Sequence, residues 1–186
     1  MSNGRSGANL LRWIDHRIYR RNMETKTARL QPQGDGFPHS LAATVGRWAS
    51  APLDARMWRV DAGPVPPGQV LACAGEADVQ PYTLRLGDEP VAYGELWVDD
   101  DESEVELARL IVDPERRGRG LGRALTQSLA DLAVTFHPAV FLRVRPDNEV
   151  AIGCYQSVGF QRVSAKSEQE WNTDQPIAYA WFELPR

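Results

Sequence analysis

Four arginines and three glycines crowd into one short segment: Arg116, Arg117, Gly118, Arg119, Gly120, Gly122 and Arg123. Glycines let a backbone approach a ligand closely and take positive φ. The first amides of a helix lack internal partners, and the helix dipole adds partial positive charge there. Leu121, Leu125, Leu129, Leu132 and Phe136 follow at helical spacing, so the turn opens an amphipathic helix. Such a turn binds phosphate. Two other phosphate loops do not fit: no Lys-Ser/Thr follows the glycines, as a P-loop needs, and Arg123 stands where G-x-G-x-x-G requires its third glycine. Taken bare, the pattern also describes an arginine-rich turn that caps a helix. Its position separates the two readings, because it follows a short apolar run, Leu107 to Val112, stopped by Asp113-Pro114. That run is too brief for an independent helix and suits a strand buried on both faces.

What remains, Arg117-x-x-Gly120-x-Gly122, resembles the acyl-coenzyme A pyrophosphate loop of the GNAT superfamily of N-acetyltransferases. A second segment from Asn148 to Phe160, with Ala151, Tyr155 and Gly159 between, resembles that superfamily's N-x-x-A-x-x-x-Y-x-x-x-G-F pattern at the expected distance. Ala151 and Tyr155 are four apart and share a helix face, so a small residue leaves room beside a phenol. The resemblance spans roughly residues 25 to 186. It implies an α/β architecture with the GNAT acyl-CoA N-acyltransferase fold, a central mixed, mostly antiparallel sheet flanked by helices. It also implies acetyl-CoA as co-substrate and no metal. The cofactor contacts it implies run through Leu110, Ile111 and Val112, whose amides would polarise the thioester carbonyl, and through Arg117, Gly118, Arg119, Gly120, Leu121, Gly122 and Arg123. Asn148 would contact the pantetheine arm, and Tyr155 would protonate the departing thiolate. The central strand would splay from Val140 to Val144 and admit the thioester like an extra strand.

Acetyl transfer to an amine needs the amine neutral, and a carboxylate can take its proton. Glu106 lies eleven residues before Arg117, the spacing at which histone acetyltransferases of the superfamily carry their glutamate base. Glu104 shares its strand face and Glu95 lies on the neighbouring strand. A solvated strand-end carboxylate, or a water chain in place of any carboxylate, remains open. Cys154 invites an acetyl-cysteine mechanism, but it adjoins Tyr155 and neighbours on a helix diverge by about 100°; it reads as structural. No G-x-S-x-G or other hydrolase pattern occurs. The rival from another class is a catalytically silent acyl-CoA sensor or interaction module using the same pocket.

The remaining elements must position these groups. An N-terminal extension, 1–22, carries five arginines against Asp15 and could form a short basic amphipathic helix: a targeting segment, an inactive extension, or an over-extended start with Met23 as initiator. Residues 23–186 read as one domain. Thr25 to Pro32 suggests a first strand; Phe37 to Trp48 and Leu53 to Val60 look helical; the run Gly63 to Gly68 reads as irregular. Trp48, Met57 and Trp58 line either an acceptor pocket or the core, and helical spacing favours the core. Tyr82 to Leu86 and Val91 to Val98 form a hairpin. Val140 to Val144 is a further strand, and Asp147 or Asn148 caps a helix through Ser157 that Gly159 stops. Phe160 to Ser164 and Ile177 to Leu184 pair across a polar excursion containing Trp171.

A formal charge of −4 and a pI near 5.4 argue against a general nucleic-acid binder. No run of 18 apolar residues occurs, so no membrane span is expected. Two cysteines without metal spacing fit a reducing cytoplasm, and the three histidines are scattered. The expected partner is a small-molecule or peptide amine, with homodimerisation left open. Residues 99 to 106 hold six acids among eight. They make either a hydrated hairpin tip or a rim that concentrates cationic acceptors.

Overall fold

In a computed structural model, the structure describes residues 25, 27–34 and 36–185. The basic segment 1–22 and Met23 lie outside the described residues. Seven strands, β1 (Ala28–Pro32), β2 (Val79–Leu86), β3 (Glu89–Asp99), β4 (Glu104–Val112), β5 (Ala139–Val144), β6 (Gln161–Arg162) and β7 (Ala180–Glu183), form one sheet in the order β1-β2-β3-β4-β5-β7-β6. All neighbours are antiparallel except β4 and β5. The helices are α1 (His39–Trp48), α2 (Pro52–Ala55), α3 (Pro67–Ala74), α4 (Leu121–Ala133), α5 (Glu149–Val158) and α6 (Ala165–Trp171).

Each face of the sheet buries its own core. Val105 and Leu107 of β4, Val140, Leu142 and Val144 of β5 and Leu96 of β3 pack with Leu121, Leu125 and Leu129 of α4, as alternation on a strand and a leucine stripe on a helix require. On the other face Tyr93 and Ile111 meet Val45 and Trp48 of α1 and Val70 and Cys73 of α3. Trp48 and Trp58 are buried there, so these two tryptophans are core, as their spacing indicated.

Three local features differ from the sequence expectation. The Pro-Gly run is irregular only to Pro66, because Pro67 occupies the first position of α3, where its missing N–H and fixed φ suit a helix. The helix expected over 53–60 divides into α2 and a 3-10 turn over Arg56–Trp58, ending at Arg59 with φ 59. The excursion containing Trp171 is largely helical: Ser164 Oγ accepts from Ser167 N at 3.1 Å and starts α6.

Candidate active site

The glycine turn takes the geometry its residue types call for. Gly118 and Gly120 have φ 77 and 83, and Gly120 caps α4, whose first amides open toward the turn. Arg117 is anchored backward: its Nη2 donates to Asp54 Oδ2 at 3.1 Å and its Nε to the Val112 carbonyl at 3.2 Å, tying the turn to α2 and to the end of β4. Arg116 pairs with Glu89 at 2.6 Å.

β4 and β5 pair only from Glu104–Ala139 to Glu106–Phe141. Beyond that point β4 has no partner on its β5 side through Val112, among the described residues. On its β3 side the register shifts between Tyr93 and Glu95, so that Ala108 faces Glu95 and Ile111 faces Tyr93. Arg109 lies in this bulge with φ 48. Leu110, Ile111 and Val112 therefore border a slot in a mostly buried strand. Its unpaired amides need partners from elsewhere.

Glu106 stands at the apex of the slot. Arg143 Nε reaches across the diverging strands to Glu106 Oε1 at 3.0 Å. Burial pushes the Glu106 carboxyl up to about 7; Arg143 opposes this, Glu104 adds to it, and Arg109 opposes it again. A carboxylate poised near neutrality can take a proton from an ammonium. Glu95 is differently engaged. It is fully buried and accepts from Tyr93 Oη at 2.7 Å, Trp97 Nε1 at 2.8 Å and Arg109 Nη1 at 2.6 Å. Burial raises its carboxyl as well, against the arginine and the three donors, which occupy both of its oxygens. Glu104 is exposed on the same strand.

Tyr155 packs from α5 against the α4-side core. Its phenol makes no hydrogen bond among the described residues, and burial, helped slightly by Cys154, holds its pKa well above the usual value. It is therefore a neutral donor at working pH. Asn148 Oδ1 accepts from Ala151 N at 3.2 Å and caps α5, and Gly159 ends that helix with φ 115. Burial also raises the Cys154 thiol, the reverse of what an activated nucleophile needs.

Residues that sequence reasoning did not single out build the other wall. The registers Trp97–Glu106, Glu106–Phe141 and Arg143–Trp181 put these side chains on one sheet face. The Arg143 guanidinium carbon lies 5.6, 5.5 and 5.2 Å from the ring centres of Trp97, Tyr179 and Trp181. Trp171 of α6 meets Phe141 and Trp181 edge to face at 5.2 and 5.3 Å. Asn172 clamps the wall, accepting from Tyr179 N and Trp181 Nε1. The acid-rich tip is partly turned to its own structure. Asp99 accepts from Glu102 N at 2.9 Å, and Asp100 pairs with His137, beyond the end of α4, at 2.7 Å.

A phosphate-type turn, a half-unpaired central strand and an apical carboxylate thus share one slot. Residues 47–160, more than half of the chain, match the model of the Acetyltransferase (GNAT) family. The chain belongs to the GNAT family of acetyltransferases. Among curated relatives, it is 46% identical over 63 residues to the N-alpha-acetyltransferase RimI of Mycobacterium tuberculosis, covering 34% of this chain and 39% of that one. It is 40% identical over 88 residues to a mycothiol acetyltransferase of Nocardiopsis dassonvillei, covering 47% of this chain and 24% of the relative. The matched stretch thus spans less than half the length of either relative. The fold is similar to that of the aminoglycoside acetyltransferase AAC(6')-Ib in complex with coenzyme A and kanamycin, with TM-score 0.64, 20% identity and coverage of 86% and 95% of the two chains. Among the described residues no cluster of His, Cys, Asp or Glu could hold a metal, and no helix is long and apolar enough to cross a membrane.

Proposed function

We propose that residues 23–186 form an N-acetyltransferase domain that moves an acetyl group from acetyl-CoA to a primary amine directly, within a ternary complex. The observation that carries this reading is the end of β4–β5 pairing at Glu106–Phe141, which sets a carboxylate of raised pKa at the closed end of a strand-shaped slot whose other end is the glycine turn. The slot suits the acyl-coenzyme A arm. Strand amides from Leu110 to Val112 supply hydrogen bonds to it and to the thioester oxygen. The turn from Arg117 to Arg123 supplies amides and positive charge to the pyrophosphate.

Glu106 takes a proton from the acceptor ammonium, directly or through a water. The freed amine nitrogen bonds to the acetyl carbon, the carbon–sulfur bond breaks as the sulfur takes the Tyr155 proton, and the proton the nitrogen then sheds to become a neutral amide restores the Tyr155 phenol, leaving on Glu106 the one proton that is released to solvent. Asn148 borders the pantetheine arm from the start of α5. The acceptor is a small molecule or a peptide, and nucleic acid and membrane lie outside the reading. Two free cysteines, Cys73 and Cys154, fit a reducing cytoplasm.

Two measurements test it together. Titration calorimetry with acetyl-CoA should show binding to the parent protein and clear weakening in Gly120→Asp, which adds an anion and a Cβ where φ is 83. Thiol release should then exceed background for at least one amine in a broad panel. Acetyl-CoA binding without release across the panel leaves the silent sensor; unchanged affinity in folded Gly120→Asp means that the turn does not hold the pyrophosphate.

A further inference from the structure

The acceptor's chemistry can be narrowed from what surrounds Glu106, on the proposal that Glu106 receives the acceptor's proton. A site for a polycation collects carboxylates and leaves them unmatched. Here each nearby carboxylate of the sheet already has its own cation: the partly buried Glu106 has Arg143 at 3.0 Å, and the fully buried Glu95 has Arg109 at 2.6 Å. The two guanidinium groups lie 5.6 and 4.9 Å from the ring centre of Trp97. A second ammonium brought to this face would meet two arginines. The next acid along, Glu104, is exposed, and Asp100 of the tip is drawn toward His137.

Arg143 has capacity beyond its structural partners. Its Nε serves Glu106, its Nη1 donates to Gln175 Oε1 at 3.0 Å, and Nη2 has no hydrogen-bond partner among the described residues. The side chain is 23% exposed. A guanidinium offers five donors in a planar fork suited to carboxylate and carbonyl oxygens. The closest contact of the pair uses Glu106 Oε1, and no side-chain hydrogen bond to Oε2 occurs among the described residues. The site thus presents one acceptor oxygen and one donor group side by side, walled by Trp97, Tyr179 and Trp181. Hydrogen bonds of about 2.8–3.0 Å to each bring an amine and an oxygen of one ligand within a few ångströms of each other, which places them on the same or adjacent carbons.

We propose that Arg143 is a specificity-determining residue that binds a carboxylate or carbonyl oxygen next to the reacting amine, so that the acceptor is a 2-amino acid or a 2-amino acyl terminus and not a polyamine or aminosugar. The shared chemistry is the 2-amino acyl group. The aromatic walls accept an apolar side chain beside it.

The test compares acceptors of equal body. Alanine, leucine and tryptophan are each offered as free acid, as amide and as decarboxylated amine, with spermidine alongside. The acid, the amide or both should exceed the decarboxylated amine at least tenfold in kcat/KM. Arg143→Gln should bring that ratio to within about twofold, and Arg143→Lys, which keeps charge but loses the fork, should retain part of it. The ratio cancels any change in the ionisation of Glu106, since both acceptors use the same base. Preference for the acid indicates a free amino acid, and for the amide a peptide terminus. A decarboxylated amine or spermidine as best acceptor overturns the proposal, as does a ratio that survives in Arg143→Gln. Binding of the same compounds to the coenzyme A-loaded protein is measured by calorimetry. Arg143-dependent preference in binding without acetylation keeps this subsite and removes the transferase reading, whereas absence of both removes the subsite.

Discussion

Burial raises both proposed catalytic groups, and the two shifts have different consequences. For Glu106 the ionised form is the base, and its carboxyl is pushed up to about 7, so the rate should grow as pH rises through about 7 and level off above it. A pH profile of kcat/KM reads this limb directly. Glu106→Gln should lose both the limb and about 10²-fold or more in rate, within the usual range for general acid–base groups. An unchanged profile in Glu106→Gln would assign the limb to another group. For Tyr155 the protonated form is the useful one; a phenol is already protonated across this range, and burial, which raises it further, makes it a weaker acid that gives up its proton only to a strongly basic thiolate. Tyr155→Phe should therefore lower kcat by tenfold or more and leave the acetyl-CoA affinity within about twofold, because the hydroxyl is needed only as the thiolate forms. A kcat within twofold of the parent removes Tyr155 as the acid.

Among the helices, α1 and α3 answer the same substitution with opposite signs. A Cβ on Gly46 of α1 would lie 2.1 Å from the Val65 carbonyl oxygen, and the Gly46 carbonyl accepts from Val65 N at 3.0 Å. The loop before α3 thus packs onto a helix surface that only glycine leaves flat enough. Gly68 of α3 is exposed with nothing within 4 Å of its Cβ position. Gly46→Ala should destabilise by about 1–3 kcal/mol despite alanine's higher helix propensity, because backbone must move. Gly68→Ala should stabilise by about 0.5–1 kcal/mol through the same propensity with no steric opposition. Urea unfolding of the two variants checks the contrast, and equal effects would mean that the Val65 loop yields easily.

Across the whole molecule, Arg109 joins the helical cover to the sheet. From the bulge of β4 it donates through Nε to the Met57 carbonyl at 2.8 Å, binds Glu95 of β3 at 2.6 Å and lies 3.8 Å from Glu76, which also pairs with Arg59. Arg109→Met would leave Glu95 buried without its cation, at a cost of about 3–5 kcal/mol, and the paired change Arg109→Met with Glu95→Gln should recover part of it. Chemical denaturation of single and double variants reads the coupling. Additive losses would show that the pair is not what fixes the bulge. If it does fix it, surviving Arg109→Met protein should also bind acetyl-CoA more weakly, since the slot edge from Leu110 to Val112 follows the bulge directly.

The parts of the site that depend on neighbours in the chain were legible from residue order. Positive φ at Gly118 and Gly120, the cap at Asn148 and the stop at Gly159 all follow from local sterics, which a few consecutive residues specify. Glu106 is singled out by its spacing of eleven from Arg117, and Tyr155 by its place in the pattern from Asn148 to Phe160. The partners of Glu106 could not be read in this way. Arg143, Trp97, Tyr179 and Trp181 come together only because β7 inserts between β5 and β6, and strand order is a property of packing that no single element carries. Glu95 is the sharpest case. On its strand it matched Glu106 as a carboxylate facing the site, and each has its own arginine, Arg109 for Glu95 and Arg143 for Glu106; what separates them is that Glu95 is fully buried and also accepts from Tyr93 and Trp97. The sequence determined the turn, the helices that bear it and the candidate acid and base. Tertiary structure decided which partners close around each carboxylate and what stands beside it, because those are contacts between strands distant in the chain.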